Sequence, residues 1–184
     1  MNPLFGAAVD VERFCQGRGW QFCFIGALAV IRWGEPRLTR DVDLTILTGF
    51  GGEERYVDDL LKQFAPRRDD ARQFAIQYRV VLLTAGGVPV DVALGAMPFE
   101  QRAVRRASAW SLADGAAIRT CCAEDLVVFK AFAGRDQDWL DIGGVVGRQG
   151  ARLDTALILE EVGPLLDLKG TRGDLGRLQR LLGR

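Results

Sequence analysis

The chain contains no histidine among its 184 residues, and that absence removes several chemistries at once. Ser-His-Asp and Cys-His catalysis both need an imidazole to carry a proton. Zinc sites with imidazole ligands need one to hold the metal. Acid–base or metal chemistry therefore rests on carboxylates, Lys, Tyr or Cys. Cysteine is scarce too, at Cys15, Cys23, Cys121 and Cys122. None has zinc-ribbon or redox spacing, and the expectation is four reduced thiols. Long apolar runs are missing: the longest, Phe22 to Ile31, has ten residues, where a membrane span needs about twenty. Met1 to Asp10 lacks the basic start and apolar stretch of a secretion signal. No membrane partner is expected, and the cytoplasm is the expected location. Net charge is absent as well, with 24 basic and 24 acidic residues. That balance leaves no global electrostatic footprint for nucleic acid and confines any such contact to one local face.

What is present suits a folded chain. Its 48% hydrophobic and 26% charged residues argue for a buried core and against intrinsic disorder. The length fits one domain, or one with a small appendage. Apolar spacing predicts a helix over Ala8 to Gln16, stopped by Gly17 and Gly19. Trp20 to Ile25 reads as a buried strand, and Gly26 then opens a short helix over Ala27 to Ile31. Asp41 to Leu47 alternates, with Val42, Leu44 and Ile46 on one face and Asp41, Asp43 and Thr45 on the other. A helix is predicted over Glu53 to Phe64, and a long strand over Gln73 to Thr84. The Gly86-Gly87 turn leads to an antiparallel partner strand over Val88 to Leu94. Pro98 to Ala107 reads as a helix, and Trp110 to Thr120 as one or two short strands around Asp114-Gly115. Beyond that, helices are expected over Glu124 to Phe132, Gln137 to Val146, Leu153 to Leu166 and Leu175 to Leu182. The division falls near Thr120, with a mixed α+β core at residues 1–120 and a helical region at residues 121–184.

Three acids stand out. Asp41 and Asp43 are i and i+2 on a strand, so their carboxylates share a face. Like charges at that spacing repel unless a cation lies between them. Mg²⁺ prefers a few carboxylates together with substrate phosphates. Asp is also depleted from strands, so two in one short strand call for a reason. Asp91, in Val90-Asp91-Val92, supplies a third carboxylate able to complete a metal site or take a proton from an attacking hydroxyl. Upstream, Gly26 ends a strand and opens a helix, which brings backbone N–H groups to an anion-binding position. Each feature has a plainer reading: exposed strand acids in one case, a tight turn in the other.

In this order the features resemble the nucleotidyltransferase superfamily of the DNA polymerase beta type. The pattern is Ile25-Gly26-Ala27, then Asp41-Val42-Asp43-Leu44, then Val90-Asp91-Val92. The stretches Gly26 to Val30 and Pro36 to Leu44 are most similar to the AbiEii-type branch, which includes toxins of toxin–antitoxin systems. Glu124 to Ile142, with Lys130, Arg135, Asp138 and Asp141, is similar to a second segment of that branch. The resemblance implies an α+β nucleotidyltransferase fold, with a mixed, largely antiparallel sheet flanked by helices and a helical C-terminal region. It implies a metal-dependent enzyme that uses Mg²⁺ or Mn²⁺ and a nucleoside triphosphate (NTP), with Asp41, Asp43 and Asp91 as catalytic residues and metal ligands. Gly26, Ala27, Arg40 and Lys130 are expected on the nucleotide, Lys130 near its phosphates.

The acceptor implied is a tRNA 3′ end, a protein side chain or a small molecule such as an aminoglycoside. A cognate antitoxin is an implied partner. Arg102, Arg105 and Arg106, or Lys169, Arg172, Arg177, Arg180 and Arg184, are cations able to follow an RNA backbone. Arg37 and Arg40 either assist with phosphate or lie in a solvated loop. Asp138 and Asp141 share a helix face and either bind substrate or pair with Arg135 and Arg148 to brace helices. The sequence departs from the family at Ala27, where Gly or Ser is usual. A hydroxyl is missing there, which keeps open a degenerate, non-catalytic regulator or binding module.

Overall fold

The computed structural model describes residues 2–113 and 115–183. Asp114 and Arg184, both named above, lie outside the described residues. The chain divides into two compact units, one of Met1–Leu28 and Leu38–Cys121, the other of Ala29–Arg37 and Cys122–Arg184.

In the first unit, α1 spans Pro3–Gly17. It starts earlier than its apolar spacing predicts because Asn2 caps it, accepting from Leu4 N–H at 3.0 Å, and Pro3 sits in the first turn. There follow β1 (Phe22–Ile25), α2 (Gly26–Trp33, whose residues from Ala29 onward fall in the second unit), β2 (Val42–Leu47), α3 (Glu53–Gln63), β3 (Ala65–Pro66), α4 (Ala71–Tyr78), β4 (Val80–Ala85), β5 (Val88–Gly95), α5 (Pro98–Arg106), β6 (Ser108–Ser111) and β7 (Ala117–Thr120). The sheet order is β3-β4-β5-β2-β1-β7-β6. β2 runs parallel to β5 and β1 parallel to β7, and the remaining neighbours are antiparallel. This is an α+β architecture on a mixed sheet.

One predicted strand is overturned. Residues 71–78 form helix α4, and the strand starts only at Val80. The Ile and Tyr content of this stretch suggests β structure, but Ala71 and Ala75 are buried one turn apart, and the Phe74 and Tyr78 rings lie 4.7 Å apart as an i,i+4 pair. Arg79 then takes a left-handed φ of 55° and ends the helix. Its guanidinium donates to the Leu94 carbonyl at 3.0 Å and to the Gly49 carbonyl at 2.9 Å, which offsets the cost of that conformation.

The core lies on one face of the sheet. Val42, Leu44 and Ile46 of β2 are register partners of Val90, Val92 and Leu94, and all six are buried. Phe22 and Phe24 of β1 and Val81 and Leu83 of β4 extend the same face, and α1 packs across β2, β4, β5 and β7. Ten or so such side chains, each worth about 1.5–3 kcal/mol on burial, fix the pleat. The alternate residues must therefore point the other way. There α5 is held to β2 by Glu100, which accepts from the buried Thr45 hydroxyl at 3.3 Å and from Ala96 and Met97 N–H.

The second unit holds α6 (Ala123–Ala133), α7 (Asp136–Gln149), α8 (Thr155–Lys169) and α9 (Asp174–Leu181). Residues 29–37 belong to it through α7. Arg148 donates to the Gly34 carbonyl at 2.6 Å, and Gln149 donates to the Trp33 carbonyl at 2.5 Å. Lys169 donates to the Ala133 carbonyl at 3.0 Å, closing the end of α6. Among the described residues, no helix is long and apolar enough to cross a membrane.

Candidate active site

The sheet register assembles the acids. Ile25 of β1 faces Asp43 of β2, Asp43 faces Asp91 of β5, and Asp91 faces Leu82 of β4. Residues in such a row point to the same face, and this face is opposite the core. Adjacent strands are about 4.8 Å apart, so Asp43 and Asp91 are direct neighbours although 48 positions separate them in sequence. Asp41 lies just before β2 rather than within it, is exposed, and accepts from the Thr39 hydroxyl at 2.8 Å. Its charge reaches Asp91. Burial pushes the Asp91 carboxyl above its ordinary range; Arg67 opposes this and Asp41 adds to it. The three acids expected from sequence therefore share one end of one sheet face.

Gly26 meets them from β1. Its φ is 56°, and a methyl group there would lie 2.7 Å from Asp43 Cγ and 2.8 Å from Asp43 Cβ. The glycine lets the chain turn from strand into helix while its backbone lies directly against the Asp43 carboxylate. Ala27 is buried, with 4% of its surface exposed, so its methyl belongs to the core and offers a ligand no hydroxyl. Arg40 is exposed immediately before the acids.

The sequence did not single out Arg67. It follows the two-residue strand β3, its N–H donates to the Leu82 carbonyl at 3.0 Å, and it extends the row by one place. From there its guanidinium pairs with Asp91 Oδ1. The signal is a register across four strands, which no local pattern encodes.

These carboxylates suit a hard divalent ion. The set is all oxygen, with no imidazole or thiolate, and Mg²⁺ or Mn²⁺ favour that chemistry. Burial does most to raise Asp91, and the nearby Asp41 charge adds a smaller like-charge contribution that a cation would relieve. Among the described residues, no three carboxylate or thiol groups converge as a ligand set. Asp91 is paired with Arg67, and Asp41 accepts from Thr39. Cysteine offers no rival: burial pushes the Cys15 thiol up to about 12, and burial, with Asp125 nearby, raises Cys122 as well.

Lys130 lies in the second unit. It is buried, with Nζ 2.8 Å from both Asp138 and Asp141. Asp141 also binds Arg37 at 2.9 Å and Gln137 at 3.0 Å. The two aspartates thus brace helices, but with Lys130 and Arg37. Asp138 accepts from the Arg135 backbone N–H at 3.1 Å and has the Arg135 guanidinium at 3.8 Å, while Arg148 serves backbone carbonyls. Two of the C-terminal cations are similarly engaged: Arg172 pairs with Asp167, and Arg177 lies over the Trp139 ring at 4.4 Å. On α5, Arg105 is exposed while Arg102 and Arg106 are half-buried.

No protein-family model matches the chain, and no curated protein matches it. Among solved structures, the chain is similar to an antigenic nucleotidyltransferase-like protein from Paracoccidioides brasiliensis, at 16% identity over 95% of this chain and 90% of that one, with a TM-score of 0.49. It is also similar to the antibiotic-resistance factor ANT(2″)-Ia, at 13% identity over 96% and 90% of the two chains, with a TM-score of 0.43.

Proposed function

We propose that the chain is a metal-dependent nucleotidyltransferase moving a nucleoside monophosphate from a triphosphate to an acceptor hydroxyl. The observation that carries this reading is the sheet row that sets Asp91 beside Asp43, with Asp41 two residues away and Gly26 pressed on the Asp43 carboxylate. Two strands fixed by a common core set Asp43 and Asp91 side by side, where strand acids are otherwise disfavoured.

In this reading Asp41, Asp43 and Asp91 hold Mg²⁺ or Mn²⁺, which when bound offsets phosphate charge and favours an ionised acceptor oxygen. The backbone of Gly26 and Ala27, at the start of α2, cradles phosphate oxygens. Arg40 adds positive charge from the exposed loop. Asp91 takes the proton of the acceptor hydroxyl. The acceptor oxygen then forms a bond to the α-phosphorus. The bond from that phosphorus to the bridging oxygen breaks, and pyrophosphate leaves with the electron pair. Most of the acceleration comes from positioning and charge stabilisation. Lys130 is assigned to bracing α6 against α7, since its ammonium already serves two carboxylates.

The test is label transfer from each nucleoside triphosphate to cellular RNA, an aminoglycoside or protein, with Mg²⁺ or Mn²⁺. Asp43→Ala should abolish transfer; transfer that persists in that variant defeats the reading. Ala27 supports a second reading, a nucleotide-binding regulator without turnover, because no hydroxyl is available there. An intact binding site gains thermal stability from triphosphate with Mg²⁺ by mass action. A shift without transfer favours the regulator. A toxin role with a cognate antitoxin rests on the sequence resemblance alone, and co-expression with the neighbouring open reading frame tests it.

A further inference from the structure

We infer that Arg67 is a specificity residue on the acceptor side of the site, and that it selects an acceptor carrying a phosphate close to its reactive hydroxyl. The inference rests on the nucleotidyltransferase reading of the three acids. Three observations on the open sheet face lead to it. Arg67 pairs with Asp91, the acid farthest along the row from Gly26 and the nucleotide end. Leu82 lies between Arg67 and Asp91 in the row and is half-exposed, so an apolar surface separates the two charged places. Arg67 is itself partly exposed, at 30% of its side chain, and reaches Asp91 from two strands away.

A guanidinium in that position has two available states. It either occupies the Asp91 carboxylate or swings back over Leu82 toward its own strand. A carboxylate that must take a proton or hold a metal is hindered by a permanent arginine partner. The pair therefore has to open for Asp91 to act, and opening leaves a partly exposed guanidinium able to take a new anion. An acceptor phosphate meets that need, because Arg binds phosphate oxygens bidentately at least as well as carboxylate. The same acceptor then frees Asp91 and places its hydroxyl beside it. A cationic aminosugar makes no such exchange. The charge layout favours a nucleic-acid end or a nucleotide over an aminoglycoside.

The test measures Mn²⁺ binding by calorimetry in the wild type, Arg67→Ala, Arg67→Lys and Asp43→Ala. The probes are an RNA trinucleotide, a mononucleotide, the matching uncharged nucleoside and an aminoglycoside. In the wild type the trinucleotide should tighten Mn²⁺ binding and the nucleoside should not. In Arg67→Ala that coupling should vanish, and the KM for trinucleotide in label transfer should rise about tenfold while the KM for NTP stays level. Arg67→Lys should recover part of both effects. A mononucleotide that matches the trinucleotide assigns the selection to the phosphate alone; a weaker one assigns it to a polynucleotide end. The inference is overturned if Asp43-dependent Mn²⁺ binding and the trinucleotide KM are both indifferent to Arg67, or if the aminoglycoside couples as the trinucleotide does. Failure of Mn²⁺ to bind in any Asp43-dependent way defeats the enzyme reading itself, and the inference with it.

Discussion

At Gly26 the backbone sits at φ 56°, and the space a side chain would fill is taken by Asp43. Two costs therefore fall on Gly26→Ala. The left-handed backbone costs of order 1–3 kcal/mol for a residue with a Cβ, and the methyl must displace the Asp43 carboxylate. Gly49, at φ 71° with nothing within 4 Å of its added methyl, carries the first cost alone. The pair separates backbone strain from damage to the site. Gly49→Ala should lose about 1–3 kcal/mol in urea unfolding and Gly26→Ala more than that, while only Gly26→Ala should lose Asp43-dependent Mn²⁺ binding. Equal Mn²⁺ affinity in the two variants would show that the close approach to Asp43 has no functional role. Asp91 presents a different residue-scale balance. Burial and Asp41 raise it and Arg67 lowers it, so removing Arg67 moves the carboxyl further up.

Among elements, the legible parts were those whose own residues alternate or recur. Asp43 among Val42, Leu44 and Ile46, and Asp91 between Val90 and Val92, declare both strand and face. The Gly86-Gly87 turn declares the hairpin. The helices after Cys122 follow their apolar spacing and glycine stops. Residues 73–78 read as strand but form helix, because β-favouring side chains are a weak guide where a helix can bury Ala71 and Ala75 against a neighbour. Arg67 and the Arg37–Asp141 pair were out of reach because each depends on contacts between separate segments. In the second unit that dependence is energetic as well. Lys130 neutralises two carboxylates whose side chains are 7% and 3% exposed. Removing one partner of a buried ion pair costs about 3–5 kcal/mol. Lys130→Ala should therefore cost on that order in unfolding free energy, read by denaturant titration of the wild type and variant. A loss below about 1 kcal/mol would place the trio with solvated surface pairs.

Over the whole molecule, acid and base balance at 24 residues each at neutral pH, and the response of stability to pH comes from groups whose pKa changes on folding. Asp141 is the clearest. Burial works to raise its carboxyl, but hydrogen bonds from Arg37, Lys130 and Gln137 outweigh it and hold the group below its ordinary value. The sign follows from linkage. A carboxylate whose folded pKa is depressed binds fewer protons folded than unfolded. Its stabilisation is present above the unfolded value, about 3.9, and is lost as pH falls through the folded one. Glu12 shows the reverse: burial raises it, against the Arg119 N–H and Gln16, so its contribution favours the fold at low pH and fades as pH rises. Asp141→Asn removes one titration and leaves the rest. The stability difference between wild type and Asp141→Asn should thus be large at pH 6, shrink below about pH 4, and approach zero once Asp141 is protonated in both states. Urea unfolding of the two proteins across that range measures it. A difference that stays constant with pH would mean that Arg37 and Lys130 hold the residue by shape and hydrogen bonding rather than by its charge.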